Sequence, residues 1–361
     1  MTRLPDLPGV LSDAQVAATA DAIVAVQRPS GKVPWFPGGH ADPWNHVECA
    51  MALVAAGRRD DAARCYDWLA STQLPDGSWF TYYLDDGVED ARRDANVSSY
   101  VAVGAWHHWR VTGDTAFLEA VFPMVERAMG FALSLQQPGG EVLWSYEPAT
   151  GAPATFALLT GSSSVLLSLR CAVAAAAVLG LERPEWELAA VRLAAAVAWR
   201  EDVAFRDKRR WAMDWYYPVL GGALDAGLGS ARLDERWSPF VLEGFGVRCV
   251  STNEWVTAAE TAELVLALDA VGRSAEARRL LTWVQYLREP DGSYWTGCVH
   301  PDEIHFPVDE RSTYTAAAML LAWDALSGAT AGGGVFRGEG LPVVAASSSD
   351  VSSDVLSPEP D

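Results

Sequence analysis

A short motif that returns along the chain constrains the fold more than any other feature. The heptapeptide QLPDGSW at 73–79 is repeated as REPDGSY at 288–294. Weaker copies, which keep a Gln and a Gly four positions later, begin at Gln27 and Gln136. Such self-similarity is typical of a fold built from one repeated supersecondary unit. We therefore expect a repeat architecture.

Each copy of the motif lies between two stretches with helical periodicity. The Gly can adopt the backbone geometry that ends a helix, and the Gln can reach backbone groups left free at the helix end. The aromatic residue that follows can pack between neighbouring units. The repeated unit is therefore helix, glycine turn, aromatic loop, helix. Besides a first helix that ends near Val26, helices are predicted at about 47–56, 60–72, 96–112, 114–136, 163–180, 184–199, 217–228, 231–243, 254–271, 274–288 and 312–327.

About twelve helices in paired units predict an all-α fold, the (α/α)6 toroid. Six inner and six outer helices would close into rings around a central cavity, with no recurring β-strands. This single domain would span residues 1–328. Residues 329–361 are rich in Ser, Gly and Pro and contain several acids, so we expect a disordered tail. Deletion of everything after Gly334 should then be tolerated.

Composition restricts partners and compartment. The chain has 27 basic and 47 acidic residues and a net charge of −20, which argues against nucleic acids and anionic membranes as partners. Its five cysteines show no C-x-x-C spacing, as in free thiols of a reducing cytoplasm. No signal peptide or membrane-spanning run is apparent. The sequence predicts a cytoplasmic protein that binds a small-molecule substrate.

The Q-x-x-x-G-x-W motif resembles the repeat of squalene–hopene-type cyclases and of protein prenyltransferase β subunits. That resemblance covers about residues 10–328 and implies the same toroid. It also implies acid-initiated carbocation chemistry on an isoprenoid, in a cavity lined by aromatic rings. The zinc-binding Asp-x-Cys pair is replaced by VDER at 308–311, and Asp85-Asp86 lacks the first acid of an Asp-x-Asp-Asp run. A prenyltransferase-like or cyclase-like enzyme is the leading hypothesis.

A second resemblance is to six-hairpin glycosidases, which use the same barrel. The segments DPWNH at 42–46 and WAMDWYY at 211–217 are similar to their aromatic, acid-lined sugar sites. This alternative implies an oligosaccharide substrate, a glycosidase or lyase, and two carboxylates that act as acid and base. A third hypothesis is a toroid that binds a ligand without catalysis.

Acids and aromatic residues occur together in the loops, and the chain has 16 tryptophans. We expect these groups to gather at one mouth of the cavity. The candidate catalytic acids are Asp214, Asp94, Asp309 and Glu254. Helix capping also explains Asp94 and Asp309, and Glu254 can be an acid in a first helical turn. The candidate substrate-binding residues are Trp35, Trp44, His46, Tyr82, Trp144, Trp215, Tyr216, Trp255, Trp295 and His305.

One segment contains residue types that bind zinc, namely Cys298, His300 and His305. Their spacing matches no standard closed site, so the sequence predicts no metal and no cofactor.

Overall fold

The computed structural model describes residues 4–344, within which 15 α-helices form. Several inner helices begin with an acid or with Pro where backbone N–H groups are free, as at Asp42-Pro43 and Asp94. The helices are α1 (Asp13–Val26), α2 (Pro43–Ala55), α3 (Arg59–Thr72), α4 (Ala95–Ser99), α5 (Val101–Thr112), α6 (Thr115–Ser134), α7 (Leu159–Val178), α8 (Pro184–Trp199), α9 (Glu201–Ala204), α10 (Ala212–Leu220), α11 (Ala226–Glu235), α12 (Trp237–Phe240), α13 (Ala258–Ala270), α14 (Ser274–Trp283) and α15 (Thr313–Ser327).

The helices form two concentric rings. Helices α2, α4–α5, α7, α10, α13 and α15 make the inner ring, in which each packs on the next and α15 packs on α2. Outside them lie α1, α3, α6, α8, α11 and α14, and α1 contacts both α15 and α2. The inner helices are largely buried on all sides, as expected for a ring covered by a second ring. The predicted (α/α)6 toroid is confirmed.

Within residues 4–344, ten short strands interrupt the loops that lead from an outer helix to the next inner helix, whereas the sequence predicted none. Each is two or three residues long, too short for alternation to be visible. They form an antiparallel pair β1–β2, a sheet in the order β3-β4-β5, and a five-stranded sheet in the order β10-β9-β8-β7-β6. The strands are β1 (Tyr82–Tyr83), β2 (Val88–Asp90), β3 (Arg93–Asp94), β4 (Ser145–Glu147), β5 (Ala152–Pro153), β6 (Val241–Leu242), β7 (Gly246–Arg248), β8 (Trp255–Thr257), β9 (Gly297–Val299) and β10 (Ile304–His305).

The Gln of the repeated motif links one outer helix to the next. The Gln73 side-chain amide donates to the carbonyl of Gly77 and to the carbonyl of Met124 in α6, each at 2.9 Å. Gln27 and Gln136 make the same pair of bonds, to Gly31 and α3 and to Gly140 and α8. We call this arrangement the Gln–Gly clasp. It satisfies buried backbone carbonyls while fixing the spacing of adjacent units.

The Gly of the clasp is required by both conformation and space. Gly77 has φ +91°, and a Cβ built on it would lie 2.1 Å from the Arg127 carbonyl oxygen of α6. At the junction that closes the ring, Gly292 has φ +92°, and a Cβ built on it would lie 2.4 Å from the Ala18 carbonyl of α1. There Arg288 replaces the Gln and donates to the Gln15 carbonyl at 3.3 Å. The motif therefore marks where outer helices meet.

Trp68 and Trp79, just before and in the first intact copy of the motif, are buried packing residues. Trp79 is fully buried and its Nε1 donates to the Leu69 carbonyl at 3.0 Å, and Trp68 is also buried.

Gly77→Ala should destabilise the protein by about 3 kcal/mol or more, because the methyl group meets a backbone carbonyl in a left-handed conformation. The matched control is Gly113→Ala, where φ is +67° and nothing lies within 4 Å. That variant should lose only about 1 kcal/mol, the conformational cost alone. Urea unfolding measures both. Equal losses would show that the close approach is not a constraint.

Two predicted helices, at 217–228 and 231–243, are wrong in their bounds. Helix α10 covers 212–220 and ends before Gly221-Gly222, and α11 starts after the Asp225 cap. The aromatic run at 211–217 suggested a cavity loop, but most of it is the start of an inner helix. The inner helix predicted at 163–180 already begins at Leu159.

The predicted disordered tail also begins too early. Residues 331–334 form a 3-10 helix and residues 335–341 fold under the far end of the barrel, where Phe336 lines a small enclosed space. The Arg337 guanidinium pairs with Asp269 of α13, and Leu341 is buried. The single domain therefore extends past the predicted limit at 328. The remainder of the predicted tail, 345–361, lies outside the described residues.

Contrary to the tolerance expected from the sequence, truncation after Gly334 should cost about 3 kcal/mol of stability, because Phe336 and Leu341 leave the barrel base. A chain that ends at Val344 is the reference, and urea unfolding measures the difference. Identical midpoints would contradict the packing role of this segment.

Among the described residues, α7 is the one helix long and apolar enough to cross a membrane. It is an inner helix of the toroid, however, and 83% of its most apolar window is buried inside the protein.

Candidate active site

The loops that enter the six inner helices meet at one end of the barrel and enclose a cleft of about 330 Å³ that opens to solvent. Because each inner helix starts there, its unpaired N–H groups also lie at this end. All six helical hairpins contribute to the wall. The lining includes Trp35, Asp42, Trp44, Asn45, Thr81, Tyr82, Arg92, Asp94, Asn96, Val97, Trp144, Met213, Trp255, Thr257, Ala259, Glu260, Glu263, Thr296 and Tyr314.

Asp42 is the N-cap of α2, and two other cavity-lining side chains hold its carboxyl group. Its Oδ2 accepts from Trp35 Nε1 at 2.6 Å and from Asn45 Nδ2 at 2.7 Å, while Oδ1 accepts from the Asn45 backbone at 2.9 Å. Burial nevertheless raises the pKa of Asp42, because desolvation outweighs these bonds and the nearby His40. The site thus contains a carboxyl that is oriented and easier to protonate than usual.

Asp94 caps α4, as the sequence suggested. Its Oδ1 accepts from the backbone of Asn96 at 2.8 Å and of Val97 at 3.1 Å. Burial raises the pKa of Asp94 to about 6, against the opposing effects of these bonds, Trp144 and Arg92. This predicted catalytic residue does line the cleft.

Glu260 lies in the first turn of α13 and is only partly buried. Thr257, the residue before the helix, donates its hydroxyl to Glu260 Oε2. The N-terminus of a helix favours a negative charge at this position. Glu260 therefore presents a carboxylate to the cleft from a different inner helix than either aspartate.

A buried network of carboxyls and phenols lies beneath the cleft. Glu263 accepts from Tyr216 and from Tyr217, the latter at 2.6 Å, and Glu48 accepts from Tyr100 at 2.5 Å. Burial raises the pKa of Glu263 to about 8, with Glu260 the next cause. Burial likewise raises the pKa of Glu48 to about 7. Both favour the protonated form near neutrality.

Aromatic rings form much of the wall. Trp35 contacts Tyr314 edge to face, with ring centroids 4.8 Å apart, and Trp44 stacks on Tyr100 at 4.8 Å. The Arg92 guanidinium lies over the Trp144 ring, 4.7 Å from its centroid, where a cation–π interaction holds it. Flat apolar faces beside carboxyl groups suit a pyranose ring.

Three of the four predicted catalytic acids lie elsewhere. Asp214 is buried against Thr160, whose hydroxyl it binds at 2.5 Å, and lines a separate side pocket. Asp309 is exposed at φ +64°, and Ser312 rather than Asp309 is the residue before α15. Glu254 precedes β8 instead of opening a helix, and it pairs with Arg248 at 2.8 Å.

Of the predicted substrate-binding residues, Trp35, Trp44, Tyr82, Trp144 and Trp255 line the cleft. The other five make internal contacts, because His46, Trp215 and Tyr216 lie inside inner helices and Trp295 and His305 pack on each other. His46 lies between the Val33 N–H and the Cys65 carbonyl, and Trp215 stacks on Phe240. Tyr216 binds Glu263, and Trp295 stacks on His305 with centroids 4.1 Å apart.

Sequence reasoning missed Asp42 as a catalytic candidate, and also Glu260, Glu263 and Tyr314. A signal for Glu260 was present, since Thr257 followed three residues later by Glu is a capping-box pattern that marks a helix start. Placing the helix start at 254 obscured it.

The cysteine and histidines considered for zinc do not converge. Cys298 is buried in β9, the His300 ring contacts the Tyr286 hydroxyl at 3.0 Å, and His305 packs on Trp295. Within residues 4–344, no group of three or more His, Cys, Asp or Glu side chains could hold a metal. All five cysteines are free and buried.

Comparison with known proteins distinguishes the hypotheses about activity. No family model matches the chain. An MMP endo-(1,4)-3-O-methyl-α-D-mannosidase from Mycolicibacterium hassiacum is 50% identical over 342 residues, which cover 95% of this chain and 94% of that protein. This chain belongs to the same glycosidase family. The leading hypothesis, a prenyltransferase-like or cyclase-like enzyme, is therefore wrong, and the glycosidase alternative is supported.

Solved structures agree on the fold. A GH63 mannosylglycerate hydrolase from Thermus thermophilus superposes with a TM-score of 0.67 at 13% identity, covering 85% of this chain and 99% of that one. A second glycosidase gives a TM-score of 0.68 at 16% identity over 88% of this chain and 98% of its own. The repeat motif thus reports the toroid, which several enzyme classes share, and the cyclase resemblance did not extend to chemistry.

Glu263 should make stability depend on pH. It binds a proton more tightly in the folded than in the unfolded chain. Its contribution is therefore fully present below its ordinary pKa of 4.5 and is lost as pH rises through about 8. Glu263→Gln keeps an acceptor for the tyrosines but cannot ionise. Between about pH 5 and pH 9, the urea midpoint of this variant should therefore fall less than that of the unchanged protein. Exposed Glu119→Gln is the control. Parallel curves for all three proteins would contradict the assignment.

Proposed function

We propose that this protein is an endo-acting α-mannosidase that hydrolyses (1,4)-linked 3-O-methylmannose chains in the cleft. The observation that carries the proposal is the placement of Asp42 and Glu260, on two different inner helices, in one aromatic-walled cleft. Glycosidases use such a carboxyl pair to protonate the leaving oxygen and to activate water or attack the sugar. The relative named above supports the choice of linkage and sugar.

Asp42 is the proposed general acid. A general acid must hold a proton near neutrality and reach the glycosidic oxygen. Burial raises the pKa of Asp42, and Trp35 and Asn45 fix the direction of its carboxyl group. When the bond to the leaving sugar breaks, Asp42 transfers its proton to that oxygen and becomes a carboxylate. The same hydrogen bonds then stabilise the charge.

Glu260 is the proposed general base. Glu260 lies in the first turn of α13, and its Oε2 accepts from the Thr257 hydroxyl, which holds the carboxyl group in place. In this role it removes a proton from the water that attacks the anomeric carbon.

The wall of the cleft fits a chain substrate. Trp35 and Trp255 offer aromatic surfaces on which pyranoses can stack. The open mouth would let a polymer extend beyond the reacting sugar, as endo cleavage requires.

Asp94 is the second candidate for the acid, because its pKa of about 6 also suits proton donation. Asp94, however, accepts from two backbone N–H groups at the start of α4, whereas Asp42 accepts from only one at the start of α2. Helix capping therefore explains more of the role of Asp94 than of Asp42.

An activated substrate separates these roles. Asp42→Asn should lower kcat/KM for a methylated α-(1,4)-mannose oligosaccharide by about 1000-fold, because the leaving oxygen loses its acid. α-Mannosyl fluoride needs no such proton, so on it the same variant should lose less than about tenfold. Glu260→Gln should be inactive on both substrates.

Asp94→Asn is the matched control, since it removes a second capping carboxyl of the same cleft. If Asp94→Asn is active on the fluoride but not on the oligosaccharide, while Asp42→Asn is inactive on both substrates, then Asp94 rather than Asp42 is the general acid. Activity of Glu260→Gln near that of the unchanged enzyme would reject the carboxyl pair.

A further inference from the structure

Three large apolar side chains are exposed together on one loop beside the cleft. Ile304, Phe306 and Val308 have exposed fractions of 57%, 49% and 73%. They lie between β9 and α15, in the last of the six loops that enter inner helices. We call these three residues the apolar rim. Exposed apolar groups that cluster in this way mark binding sites more often than chance exposure does.

The apolar rim is continuous with the cleft wall. Trp255, which lines the cleft, donates its Nε1 proton to the Phe306 carbonyl at 2.9 Å. The two rings meet at an interplanar angle of 88° with centroids 5.4 Å apart. Strand β9 pairs with both β8 and β10, so one sheet carries Trp255 and Ile304. A chain that leaves the cleft over Trp255 would next meet the rim.

The chemistry of the rim differs from that of the cleft. Ordinary sugars are held by hydrogen bonds and by stacking on ring faces, but Ile304 and Val308 offer neither. Their branched aliphatic groups suit ligand methyl groups, and the burial of such apolar surface is favourable. A 3-O-methyl group replaces a hydroxyl donor by an apolar cap, which matches this surface.

Charge around the rim excludes another class of ligand. Asp302, Glu303 and Asp309 are exposed on the same loop, and the net charge of the chain is −20. Anionic lipids and polyanions would be repelled there. A neutral, methylated chain would not.

We propose that the apolar rim is a distal subsite that binds the O-methyl groups of sugar units beyond the scissile bond. This inference rests on the proposed mannosidase function and adds selectivity for methylated over unmethylated chains.

The test compares two substrates of equal length, an α-(1,4)-linked 3-O-methylmannose oligosaccharide and its unmethylated counterpart, both long enough to leave the cleft. The double variant Ile304→Ser/Val308→Ser should raise KM for the methylated chain by about fivefold, because apolar burial is lost. Its kcat should not change, and kcat/KM for the unmethylated chain should change less than about twofold.

Leu188→Ser is the matched control, because Leu188 is 60% exposed on outer helix α8, away from the loops of the cleft. It should leave both substrates unaffected, and thermal unfolding verifies that the variants fold. Equal losses on both substrates would overturn the methyl subsite. A concentration-dependent dimer that the double variant abolishes would overturn it too, since a second copy would then be the occupant. Failure of the unchanged enzyme to cleave any α-mannoside would instead reject the proposed function.

Discussion

The close approach of neighbouring outer helices at a Gly, found at four of the six junctions between them, is the constraint on which this structure depends. With no Cβ, Gly77 lets the backbone of α6 approach, and Gln73 satisfies the carbonyls that meet there. Gly292 does the same against α1, so the last unit meets the first. Ring closure then places the N-termini of all inner helices at one end, together with the residues that cap them.

The chemistry of the cleft follows from that placement. A capping acid is held by backbone N–H groups that favour its charge, yet closure of the barrel buries it, which disfavours charge. At Asp42 and Asp94 burial prevails and raises the pKa. Glu260 is less buried and lies in the first turn of its helix, close to the helix N-terminus. One fold thereby supplies environments suited to a proton donor and to a carboxylate.

Sequence patterns predicted the toroid and half of the aromatic wall, because the repeated motif and helical periodicity are local signals. Asp94 was found through its position before a helix. Asp214 and Asp309 lie outside the cleft for different reasons, since Asp214 is inside helix α10 and binds Thr160, whereas Asp309 is in an exposed loop. An acid beside aromatic residues looks the same in either place, and strands of two or three residues, such as β9 and β10, leave no periodic trace that would position the loop. The enzyme class required a close relative, since the motif encodes packing rather than chemistry.

The most direct measurement of the central claim is a crystal structure of Glu260→Gln with a 3-O-methylmannose oligosaccharide bound. The account predicts the sugar chain in the cleft, with a glycosidic oxygen at hydrogen-bonding distance from Asp42 and the anomeric carbon facing residue 260. A chain bound outside the cleft, or one whose glycosidic oxygens all lie beyond reach of Asp42, would contradict it.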